Sequence, residues 1–192
     1  MAKPIDEAKH AAILSSAIHC INLHGLHATT SAIAKGAGVS AGTLFVYFPD
    51  KVTLLNSLYL ALKSEIMTSL AHAFPAEGTI KVKAFHAWKT YVIWARQHPE
   101  RRHVLQQLML SCFITEEAHQ KAQAMLKEVH DVLAELGNSR NGNNVAFITS
   151  VITSLAETTI DFVLKAPADE NKIIDMGFRM FWQALEISPD QQ

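Results

Sequence analysis

The chain has 192 residues, of which 49% are hydrophobic and 18% charged, below the usual ~25%. Its 17 lysines and arginines against 18 acids leave a net charge of −1, which excludes a broad electrostatic coat for nucleic acid. Residues 1–63 nevertheless carry five lysines against three acids, so a small anion-binding footprint, if there is one, belongs at the N-terminal end.

Apolar residues Ile13, Leu14, Ala17, Ile18 and Ile21 recur at helical spacing, predicting a helix over 8–24 that Gly25 ends. Thr29 and Thr30 are N-cap candidates for a short helix through Ile33, Ala34 and Ala37, broken by Gly38. Ser40 caps a third short helix over 41–47, and Asp50, after Pro49, caps a long one from Lys51 to about Ala73. Gly78 and Thr79 open a helix to Gln97, and Pro99 suits the first turn of the next. Thr115, followed by Glu116 and Glu117, starts a helix expected to end at Gly137, where the acids favour the positive helix end. The segment 138–144 reads as a loop, and further helices are expected over 145–165 and 170–187, separated by Pro167. No stretch alternates as a strand does, so the expected fold is all-α.

Residues 29–51, TTSAIAKGAGVSAGTLFVYFPDK, place two short helices around a glycine turn. That is the arrangement of a helix-turn-helix, whose second helix enters the major groove. Ile33, Ala34, Ala37, Val39 and Leu44 hold the pair together, and Ala37 and Gly38 are expected at the point of closest approach. The ordered set Gly25, Thr29, Thr30, Ile33, Ala34, Ala37, Gly38, Val39, Ser40, Gly42, Thr43, Leu44, Phe45, Tyr47, Phe48, Lys51 and Leu54 resembles the DNA-binding domain of the tetracycline-repressor (TetR) family. The resemblance implies a three-helix DNA-binding domain over 1–50 and a helical ligand-binding and dimerisation domain over 51–192. It also implies a homodimeric repressor that binds a pseudo-palindromic, double-stranded operator and is released by a small effector.

By the same resemblance, Thr30 caps the first motif helix and faces phosphate. Ser40, Ala41, Gly42, Thr43 and Phe45 belong to the recognition helix, Tyr47 touches the backbone, and Lys51 is a phosphate lysine. The recognition segment SAGTLFVY departs from strong readers in lacking Arg, Lys, Asn and Gln, the side chains of the best base pairings. Base readout is therefore expected to be modest. Ala41 or Val46 can touch thymine methyls, Lys3 or Lys9 can add phosphate contacts, and DNA shape can add specificity.

Segments 58–63, 98–108, 155–162 and 177–185 resemble a multidrug-sensing branch of the family, which implies a lipophilic or cationic-aromatic effector. Tyr59, Trp88, Tyr91, Trp94, Met109, Phe113, Ile152 and Phe162 can line such a pocket or equally fill a core. Trp88, amid His86, Lys89 and Thr90, is the foremost ligand-facing candidate. The last two helices carry apolar residues on more than one face, and Val151, Leu155, Phe178, Phe181, Trp182 and Leu185 are the expected dimer contacts.

Chemistry is not expected. Ten histidines form no H-E-x-x-H, and there is no C-x-x-C, P-loop or G-x-S-x-G. Glu157 and Asp161 lie four apart on one helix face, either as a polar patch or as an anionic contact for a cation. No cofactor, metal or catalytic residue is assigned. Cys20 and Cys112 sit in apolar, helix-like stretches and read as buried thiols of a reducing cytoplasm. No apolar run approaches a signal h-region or a membrane span, so no membrane partner is expected. Two other readings stay open: a regulator of this fold controlled by a protein partner, and a helical adaptor or enzyme that does not bind DNA.

Overall fold

The computed structural model describes residues 6–125 and 145–185, and every regular element among them is helical. The helices are α1 (Glu7–His24), α2 (Thr30–Gly36), α3 (Ala41–Tyr47), α4 (Lys51–Ala71), α5 (Ile80–Gln97), α6 (Pro99–Met109), α7 (Glu116–Met125), α8 (Val145–Lys165) and α9 (Glu170–Leu185). Short 3-10 turns at Gly25–His27 and Pro167–Asp169 complete them. The fold is all-α, with an N-terminal helix-turn-helix followed by a helical C-terminal domain. Lys3, the expected helix end at Gly137 and the expected loop 138–144 lie outside the described residues.

By packing, the chain forms two compact units. One holds the residues through Glu65 together with His98–Ala122; the other holds Ile66–Gln97 and the described residues from Gln123 onward. Helix α4 is continuous and contributes to both.

Local chemistry sets the helix ends of the first unit. The Asp6 carboxylate accepts from the amides of Ala8 and Lys9 and starts α1. Those amide bonds hold its carboxyl below the usual carboxylate range. Thr29 Oγ1 accepts from Ala32 N at 3.1 Å, so Thr29 caps α2 and Thr30 is its first helical residue, correcting the cap expected at Thr30. Ser40 Oγ caps α3 by accepting from Thr43 N at 3.0 Å. The Asp50 carboxylate accepts from Thr53 N at 2.7 Å and caps α4.

The motif turn is built differently from the expectation. Gly38 has φ 68°, and Val39 N donates to Ala34 O across it, a Schellman closure that a left-handed glycine permits. Nothing crowds Gly38; its backbone angle is what requires glycine. The close approach falls instead at Gly36, where an added Cβ would collide with the Ser16 hydroxyl. That hydroxyl donates to Ile33 O at 2.8 Å and fastens α2 to α1.

Helix α6 packs on α1 in the same unit, and Asn22 Nδ2 donates to Glu100 O at 3.2 Å. Buried Ile13, Ala17, Ile21, Ile33, Leu44, Phe48, Leu54, Val104 and Leu108 form the core. Cys20 is buried, but Cys112 is exposed in the turn after α6, which corrects its expected burial in a helix.

In the second unit α5, α8 and α9 pack together. Trp88 Nε1 donates to Ile174 O at 3.2 Å, and its ring lies parallel to Phe181 at 5.8 Å. Gly177 lets α9 approach both Trp88 and Thr159. Arg96 pairs with Glu170 at 2.8 Å and joins α5 to the start of α9.

Candidate functional site

Helix α3 leaves one face uncovered. Leu44 and Phe48 point inward and are buried, whereas Ala41, Gly42, Phe45 and Val46 are exposed. Phe45 is 44% and Val46 78% accessible, unusual for large apolar groups on so short a helix. The Ser40 and Thr43 hydroxyls lie 2.9 Å apart and bond to each other, so one of the two protons is already committed. This face can press apolar surface on thymine methyls and make one or two single hydrogen bonds.

Tyr47 flanks this face. Its hydroxyl accepts from Asp6 N at 3.2 Å, and its ring lies 6.5 Å from His10. The phenolic proton remains able to donate, so the hydroxyl both ties α1 to α3 and can reach an anion. Lys51 sits partly exposed in the first turn of α4, with no ion pair among the described residues. Thr30 is half-buried at the start of α2, while Lys9 is paired with Asp6 at 3.4 Å.

The expected ligand-lining residues divide between the two units. Tyr59, Met109 and Phe113 belong to the first. There the Tyr59 ring meets His119 edge-on at 5.7 Å, and its hydroxyl lies 3.5 Å from His119 Nδ1. The Lys63 ammonium lies 5.6 Å from the Tyr59 ring centre and 3.9 Å from Met109 Sδ. Burial pushes the Tyr59 phenol up and pulls the Lys63 ammonium down from their ordinary values. Asn56 fixes the turn carrying Phe113, donating to Phe113 O and accepting from Thr115 N, both at 2.9 Å.

Trp88, Tyr91, Trp94, Ile152 and Phe162 belong to the second unit. Trp88 and Trp94 are 5% and 3% accessible, and Trp88 is packed against Phe178 and Phe181 rather than facing open space. Tyr91 donates to Glu157 at 2.8 Å and stacks on Trp94, so Glu157 already has a phenolic partner. Ile152 is partly buried. Phe162 is 55% accessible, with the Lys165 ammonium over its ring.

The expected dimer contacts also separate. Phe178, Phe181 and Trp182 are buried within the unit, Val151 and Leu155 are half-buried, and the side chain of Leu185 lies outside the described residues. The outward apolar groups on α9, outside the expected contact set, are Met176 and Met180, at 42% and 54% accessible. Among the described residues, no group of three His, Cys, Asp or Glu side chains is placed to hold a metal ion. No described helix is long and apolar enough to cross a membrane.

The fold thus presents an N-terminal helix-turn-helix with one exposed face on α3, ahead of a helical C-terminal domain. Residues 13–58 match the family described as bacterial regulatory proteins, tetR family. Over the whole chain, the fold is that of a tetR family regulator from Shewanella sp. PV-4, with TM-score 0.82, 24% identity, and coverage of 92% of this chain and 97% of that one. It is also similar to the TetR-like transcriptional regulator LfrR from Mycobacterium smegmatis, solved with proflavine, at TM-score 0.62 and 18% identity over 96% of this chain and 99% of that one. The fatty acid metabolism regulator protein of Bacillus subtilis (strain 168) is 32% identical over 76 residues, 39% of each chain.

Proposed function

We propose that the protein is a ligand-responsive transcriptional repressor that binds a pseudo-palindromic operator as a homodimer and is released by a small effector. The observation that carries this reading is the uncovered α3 face of Ala41, Gly42, Phe45 and Val46, flanked by Ser40, Thr43, Tyr47 and Lys51. A two-fold protein of this kind needs equivalent half-sites about one helical turn apart, ~34–36 Å, or a multiple of it.

The proposed dimer face is the apolar strip left outside the second unit. It consists of Leu155 and Phe162 on α8 with Met176 and Met180 on α9. Phe162 is thereby reassigned from effector contact to subunit contact. Phe178, Phe181 and Trp182 then support the face from beneath by fixing α9 on α5.

The effector is proposed to be lipophilic or cationic-aromatic. Support comes from the segments 58–63, 98–108, 155–162 and 177–185, which resemble the multidrug-sensing repressor RamR, and from the relative solved with proflavine. Met109, 44% accessible, and half-buried Phe113 provide soft surface in the first unit for such a molecule, whereas the Tyr59 side chain is buried there. Release requires an effector that favours the conformer whose two α3 helices are wrongly spaced, so operator and effector weaken each other by the same factor. Selection from randomised double-stranded DNA tests the function. Inverted half-sites are the expected product, and selected pools with no shared motif refute the reading.

A further inference from the structure

A groove of about 720 Å³ runs along the outside of the second unit between α5 and α9. Lys81, Val82 and Phe85 line it from α5, and Lys172, Asp175, Phe178 and Arg179 from α9. Its floor is aromatic, with Phe85 and Phe178 meeting edge-on at 4.9 Å. Its rim holds three cations and one carboxylate. On α9 the rim residues 172, 175 and 179 follow helical spacing, so all three lie along one edge.

None of the three cations forms an ion pair among the described residues. The Lys81 ammonium instead lies 5.1 Å from the Trp182 ring centre. An ordinary solvated face has neither an apolar floor nor an excess of one sign. The volume falls in the range of small-molecule sites, roughly 300–1,000 Å³.

The geometry points to a second ligand site in this groove, one that takes an amphipathic organic anion: a carboxylate on a flat apolar body. The body lies on Phe85, Phe178 and Val82, and the carboxylate is held by Lys172 and Arg179, with Lys81 closing the end. Arg179 offers a fork that matches a carboxylate with two parallel hydrogen bonds. Asp175 sets a sign preference by disfavouring more than one negative charge on the body beside it. Its residues belong to the second unit, whereas the proposed effector surface at Met109 and Phe113 belongs to the first, and it asks for the opposite charge.

Isothermal titration of the full chain with naphthalene-2-carboxylate, and with the uncharged naphthalene-2-carboxamide as its isostere, tests the assignment. The carboxylate is expected to bind once per subunit and to weaken with added salt. The amide, and the carboxylate on the K172A/R179A double variant, are each expected to bind about tenfold more weakly, since two exposed ion pairs are lost. Arg179→Lys should recover part of that loss, and Lys121→Ala, on α7, should change nothing. Because the amide comparison uses the wild-type chain, it stands even if the double variant melts early. Equal binding of acid and amide, or unchanged carboxylate binding by K172A/R179A, overturns the site.

Discussion

Replacing Gly177 by alanine probes the contact on which α9 is seated. In an isolated helix the change is favourable by about 1 kcal/mol. Here the new Cβ would collide with the Thr159 hydroxyl and lie 2.9 Å from Trp88 Cζ2 and 3.1 Å from Thr159 Cγ2. None of these groups yields easily. Thr159 is buried and donates its hydroxyl to Leu155 O at 2.8 Å, while Trp88 is held by its bond to Ile174 O and by Phe181. Overpacking of this kind costs about 1–3 kcal/mol, and three close contacts put it in the upper part of that range. The net effect of G177A is then a loss of about 1–2 kcal/mol, or about 2–8 °C in Tm for a chain of this size. Thr159→Ala removes the nearest obstacle, so the T159A/G177A pair should be more stable than the sum of the single losses by about 1 kcal/mol. Denaturant melts of the four proteins at one fixed concentration measure this, which also holds any subunit association constant. A rise in stability for G177A alone would show that α8 and α9 do not meet as described.

Lys51→Ala should weaken binding to all DNA sequences alike and lower the salt slope by about one, as loss of a single phosphate contact does; an unchanged slope in anisotropy titrations across a salt series removes that role. Met176→Lys with Met180→Lys should shift sedimentation toward monomer while leaving the helical circular dichroism intact, because both side chains point outward; an unaltered dimer would place the interface elsewhere. Lys63→Met should raise Tm at neutral pH. Burial holds the folded-state pKa of Lys63 below its unfolded value near 10.5, so keeping it charged costs stability below the folded pKa. That cost fades as pH rises through the folded pKa toward 10.5, and the gain from K63M should fade with it. A gain independent of pH in melts from pH 7 to 10 would assign the effect to packing.

The helix-turn-helix half was legible because its signals are local. Asp50, Ser40 and Gly38 act through bonds to residues within five positions, and their roles follow from residue type and spacing alone. The threonine pair could be misread by one position because either hydroxyl can cap. The second half was legible as helices but not as surfaces. Trp88 looked ligand-facing because His86, Lys89 and Thr90 surround it in sequence, yet neighbours one and two apart do not share a helix face. Its own stripe is Ala84, Val92 and Ala95, all buried. In α9 the apolar residues Phe178, Phe181 and Trp182 outweigh Met176 and Met180, so size pointed to the wrong set for the outer face. Which apolar face turns inward depends on the partner helix, and a single helix's pattern does not carry that.

The central claim, that the outer face of α3 reads DNA, is tested most directly through Val46. This side chain is 78% accessible, so Val46→Glu should leave the melting temperature within about a degree. A carboxylate there would face phosphate and base edges at close range. Anisotropy titration of a selected operator with wild-type and V46E protein, beside a scrambled duplex, is the measurement. V46E is expected to bind the operator no better than the scrambled duplex; operator binding by V46E equal to wild type would contradict DNA reading by α3.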